Sequence, residues 1–110
     1  MNIKSVPKNN ILVVDDNPKN VQYISMILTN NGYNVAIANN GEKALRYVEK
    51  RKPDLILLDI MMPELSGFEV CETLKRNSST QEIPIIFLTA KTDVDDSVKA
   101  FELGGVDYIT

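Results

Sequence analysis

The chain has 110 residues, 44% apolar and 25% charged, with a net charge of −3, the proportions of one ordinary globular domain that can build a core of its own. Its acidic balance, with no basic run longer than Lys50-Arg51-Lys52, argues against nucleic acid or an anionic membrane surface as the main partner. One cysteine, Cys71, rules out an internal disulfide and suits a reducing, cytoplasmic compartment, while a chain without histidine lacks the commonest general base, the triad chemistries and His-based metal sites.

Residues 1–9 read as a polar leader with no apolar core of a signal peptide, and no apolar run approaches the roughly 18 residues of a membrane span. Ile11 to Val14 form a buried strand that stops at Asp15-Asp16-Asn17-Pro18. Asn17 suits an N-cap and Pro18 the first position of a helix carrying Val21, Ile24, Ile27 and Leu28 on one face, closed by Asn30-Asn31-Gly32. Val35 to Ala38 form a short strand. Asn39-Asn40-Gly41 open a second helix with Ala44, Leu45 and Val48 inward, which ends before Pro53. Leu55 to Leu58 are apolar at every position, as in a strand covered on both faces. Ser66-Gly67 begin a third helix through Phe68, Val70, Cys71 and Leu74. Pro84 to Leu88 form a fourth strand stopping at Thr89, residues 92–103 a fourth helix stopped by Gly104-Gly105, and Val106 to Ile109 a fifth strand.

Strands alternating with helices of this length predict an α/β fold with a parallel sheet and right-handed crossovers. Ligands of such sheets bind at the carboxyl ends of the strands, near a topological switch point. Asp15-Asp16 end strand one, Asp59 ends strand three and Thr89 ends strand four, so three acids and a hydroxyl converge on one edge. A single Asp after a strand is commonly a turn residue or helix cap. Asp59 fits that reading less well, because Ile60, Met61 and Met62 continue the apolar segment. Two unit charges about 4 Å apart repel by roughly 4 kcal/mol at an effective dielectric of 20, so three clustered acids ask for a hard cation; Mg²⁺, with its preference for oxygen ligands, fits. Taken alone, Thr89 also reads as a plain strand end, Tyr108 and Met61-Met62 as packing residues, and Cys71 as a small inert hydrophobe.

The stretches "ILVVDDNP", "PDLILLDIMMPELSGFEVCETLK", "IPIIFLTA" and "ELGGVDYIT", in this order and spacing, resemble the receiver domain of two-component response regulators. The resemblance covers residues 11–110 and implies a flavodoxin-like fold: a three-layer, doubly wound, five-stranded parallel sheet of order 2-1-3-4-5, with the domain at 10–110. It implies a phosphoacceptor role for Asp59, supplied by a histidine kinase or a phosphotransfer domain. It also implies Mg²⁺ held by Asp16, by Asp15 mainly through water, by Asp59 and by the main-chain carbonyl of Met61. Thr89 would contact the phosphoryl group, and Tyr108 would follow it as a switch around helix four and strand five. The expected protein is a switch rather than an enzyme with turnover, and binds no nucleic acid or membrane through this domain. The same resemblance covers a receiver module within a hybrid sensor histidine kinase and a receiver-like interaction domain that is not phosphorylated. A phosphohydrolase with an aspartyl nucleophile would share the metal site, but its usual D-x-D pattern in strand one is missing.

The family carries a Lys directly after strand five and then a fifth helix, whereas this sequence stops at Thr110. The expectation is a C-terminally truncated piece of a longer protein, lacking the fifth helix, with an under-covered sheet face that promotes self-association. Lys91, just past strand four, is not at the position of the family's Lys.

Overall fold

A computed structural model of the chain describes residues 9–88 and the backbone of residues 107–109. Its elements are β1 (Asn10–Val14), α1 (Pro18–Asn30), β2 (Asn34–Ala38), α2 (Gly41–Lys50), β3 (Leu55–Asp59), α3 (Gly67–Arg76), β4 (Ile85–Leu88) and β5 (Asp107–Ile109). The fourth helix expected at 92–103 lies outside the described residues.

Each helix begins where a short polar side chain can satisfy an orphan backbone N–H. Asn17 Oδ1 accepts from the N–H of Lys19 at 2.9 Å, with Pro18 in the first turn. Asn40 Oδ1 accepts from Lys43 at 2.8 Å. Ser66 and Glu69 form a reciprocal capping box. Helix α1 is capped by Asn31, followed by Gly32 at φ +88°, a conformation open to glycine at little cost. Beyond α3, Lys75 Nζ donates to the carbonyls of Gln81 and Ile83 at 2.9 and 2.8 Å, and Thr80 Oγ1 to that of Leu74 at 2.6 Å. These bonds fix the connection to β4.

All strands are parallel, in the order β2-β1-β3-β4-β5. The order reverses between β1 and β3, so the carboxyl ends of those two central strands flank the switch point. Asp54 fixes their register from the other end: its Oδ2 accepts from the N–H of Asn10 at 2.7 Å, and its N–H donates to the Asn10 carbonyl at 2.8 Å.

The two faces of the sheet are buried separately. Leu12, Val14, Ile56, Leu58, Ile85 and Phe87 point to the side covered by α2 and α3, where they meet Ala44, Val48, Phe68, Val70, Cys71 and Leu74. Phe68 and Phe87 meet with ring centroids 5.5 Å apart and planes at 57°. Ile11, Val13 and Leu57 point to the opposite side, against Val21, Ile24 and Leu28 of α1. Ile27 is the exception to the expected apolar face of α1. It lies six residues on from Val21, about 120° round the helix, and is 42% exposed.

Cys71 is fully buried, and burial raises its thiol from 9.0 to about 11. The reactive thiolate is therefore both rare and unreachable in the folded chain. A disulfide reagent at pH 8 should label Cys71 at the rate of unfolding, and rapid labelling in native buffer would contradict this burial. Among the described residues no helix is long and apolar enough to cross a membrane.

Candidate functional site

Asp15 follows β1 directly, and its N–H still donates to the Ala38 carbonyl of β2 at 3.2 Å, so the backbone there is held by the sheet. Its carboxylate is held as well: Oδ1 accepts from the N–H of Asn17 at 2.9 Å and Oδ2 from Asn20 Nδ2 at 3.3 Å. Asp15 is thus a turn residue and a preorganised acid at once, and it is only 3% exposed. Asp16 beside it is exposed.

Asp59 is the last residue of β3, paired with Leu88 of β4, and is half-buried. Its Oδ1 accepts from the N–H of Met61 at 3.3 Å. Behind it, the N–H of Ile60 donates to the Leu88 carbonyl at 3.3 Å and that of Gly67 to the Ile60 carbonyl at 2.9 Å. The start of α3 therefore rests on the backbone that carries Asp59. A Cβ at Gly67 would fall on the Asp59 carbonyl oxygen and within 2.8 Å of Ile60 Cα.

One carboxylate oxygen from each of Asp15, Asp16 and Asp59 lies within 4.8 Å of the other two. Burial, then the charge of Asp15, raises the Asp59 carboxyl from 3.8 to about 7; Asp16 adds to the rise, and the Met61 N–H opposes it. An all-oxygen donor set that resists full ionisation when empty suits a hard divalent cation such as Mg²⁺. Beside the acids, a cavity of about 750 Å³ runs between α1 and the end of β2, lined by Asp15, Asp16, Met26 and Ile37 among others.

Of the other residues the sequence singled out, Met61 lies two positions past Asp59 with its side chain 73% exposed, so it is not the packing residue it resembles; Met62, at 8%, is. The difference is one of direction, since neighbours in an extended segment face opposite ways. Tyr108 lies in β5, paired with Phe87 through the backbone; its side chain, like Thr89, lies outside the described residues. Sequence reasoning missed Asn20, which holds Asp15, and the close approach at Gly67. The first carries no local signal, because its partner is five residues away. The second had one in glycine directly after the N-cap.

These features define an α/β protein with a carboxylate pocket at the switch point of a doubly wound parallel sheet. Residues 11–110 match the response regulator receiver domain, and the chain belongs to that family. It is 42% identical over 109 residues to a probable cyclic di-GMP phosphodiesterase of Vibrio cholerae serotype O1, covering 99% of this chain and 24% of that protein. It is 46% identical over 100 residues to the alkaline phosphatase synthesis transcriptional regulatory protein PhoP of Bacillus subtilis, covering 91% of this chain and 41% of that protein. The chain therefore spans less than half the length of either relative. Among solved structures, the phosphorylated cyanobacterial phytochrome response regulator RcpA aligns with a TM-score of 0.88 at 28% identity, over 94% of this chain and 81% of that one.

Proposed function

We propose that the chain, with residues 10–110 as the receiver unit behind a polar leader at 1–9, is a cytoplasmic phosphoacceptor switch that takes a phosphoryl group on Asp59. The observation that carries this reading is the convergence of Asp15, Asp16 and Asp59 at the mouths of β1 and β3. A carboxylate oxygen of Asp59 attacks phosphorus, forming an acyl phosphate. The bond to the donor breaks, and its electron pair leaves with the donor, an imidazole nitrogen of a histidine kinase or phosphotransfer domain. Asp15, Asp16, Asp59 and the Met61 carbonyl would hold Mg²⁺, which supplies neutralisation of charge on the transferring oxygens. The Asn17 and Asn20 bonds keep the Asp15 carboxylate in place, and the backbone of Asp59 is anchored to β4 and α3. Thr89 and Tyr108, one after β4 and one in β5, would carry the change to the surface around helix four and strand five.

The chain incubated with a small acyl phosphate and Mg²⁺ should gain the mass of one phosphoryl group, removable by hydroxylamine, and Asp59→Asn should gain none. Label on a serine or threonine, or undiminished label in Asp59→Asn, would overturn the assignment.

A further inference from the structure

A quarter of this chain is charged, yet no charged residue occurs between Lys19 and Glu42. That stretch is most of α1 and all of β2. It also holds every large apolar side chain exposed among the described residues except Met61: Tyr23, Met26, Ile27, Tyr33 and Ile37. Ordinary surfaces of small domains mix charges throughout, and an uncharged apolar patch of this kind marks a contact surface.

β2 is also an outer strand of the sheet. The N–H of Asn34 donates to the Asn9 carbonyl and the Ala38 carbonyl accepts from Asp15, so residues 34, 36 and 38 turn their backbone groups toward β1. The N–H and C=O groups of Val35 and Ile37 therefore face the outer edge, where no other strand among the described residues pairs with them. Protein edges are usually guarded by Lys, Pro, a bulge or an inward charge, and Asn34–Ala38 contains no Lys, Pro or other charge.

We propose that the chain pairs with a second copy of itself through this edge, β2 running antiparallel to β2 about a two-fold axis at Ala36. Val35 then lies opposite Ile37 of the second copy, each exchanging both main-chain bonds with the other. Five residues of strand are too few for a stable interface, which buries roughly 1,200 Å² or more; the side of α1 beside the edge, with Gln22, Met26 and Thr29, supplies the rest. The choice of a second copy rests on charge. A two-fold contact sets each residue of a patch near the same patch, so a charged strand would repel itself; β2 carries no charge, and Asp15 and Asp16, which adjoin its carboxyl end, fall at opposite ends of an antiparallel pair.

Sedimentation velocity from micromolar to millimolar protein should reveal a monomer–dimer equilibrium. Ile37→Lys should weaken it by about tenfold or more, as edge lysines do, and Ile37→Pro should do the same by removing an outward N–H while sparing the bonds to β1. In the unaltered protein, amide exchange at Val35 and Ile37 should slow as concentration rises, a readout that needs no variant to fold. A chain that stays monomeric at millimolar concentration would overturn the proposal and leave the patch to a different partner. So would undiminished association in a folded Ile37→Lys, or protection that rises elsewhere and not at Val35 and Ile37.

Discussion

Replacing Gly67 with alanine should destabilise the fold by about 3 kcal/mol, the upper part of the usual range for overpacking. Helix propensity alone predicts the opposite, a gain of up to about 1 kcal/mol for removing a glycine from a helix. Steric contact decides it. The new methyl would meet the Asp59 carbonyl oxygen and Ile60 Cα, which are backbone atoms and cannot rotate away. Either α3 retreats from the sheet, opening space around Phe68 and Val70, or the backbone of Asp59 shifts and the carboxylate moves with it. Gly32→Ala is the control: φ there is +88°, nothing lies within 4 Å of the added carbon, and the cost is about 1 kcal/mol of backbone strain. Urea denaturation of the two variants should separate them clearly. Equal midpoints would mean that α3 can withdraw from Asp59 without loss.

The order of elements was legible because each strand is a short apolar run and each described helix starts at Asn or Ser next to Pro or Gly. Boundaries shifted by a residue or so, for reasons a single sequence does not display. Asn10 joins β1 because it pairs with Asn34 of β2 and its carbonyl accepts from the N–H of Asp54, far along the chain. Asp59 counts as strand because it pairs with Leu88. Ile27 was misplaced because apolar character was read without tracking helical angle. The acid cluster was legible in outline from three carboxylates at two strand ends. What holds it was less so: the Asn20 contact depends on the pitch of α1, and the approach of α3 to Asp59 is a tertiary fact hidden behind an ordinary helix start. The uncharged span from Asn20 to Gly41 was visible in the sequence throughout. Its meaning depended on knowing that β2 is an outer strand, which composition does not reveal.

Asp59→Asn should stabilise the metal-free chain at pH 8 and leave it unchanged at pH 4. In the folded protein the carboxyl titrates at about 7, against 3.8 without its surroundings, so between those values the folded state holds a proton that the unfolded state has released. Stability therefore falls as pH rises from about 4 to 7 and stays low above that. Three pH units correspond to about 4 kcal/mol. The site is half open to water, which screens the repulsion, so about 1–2 kcal/mol is the expected difference. Mg²⁺ narrows the difference. At about ten times its dissociation constant it adds about 1.4 kcal/mol to a protein that binds it only when folded, and Asp59→Asn, with one acid fewer, should gain less. Thermal melts of both proteins at pH 4, 6 and 8, with chelator and with Mg²⁺, carry the test. An Asp59→Asn protein that is less stable than wild type in chelator at pH 8 would make Asp59 a structural residue. A wild-type melting temperature indifferent to Mg²⁺ at pH 8 would remove the cation from the pocket.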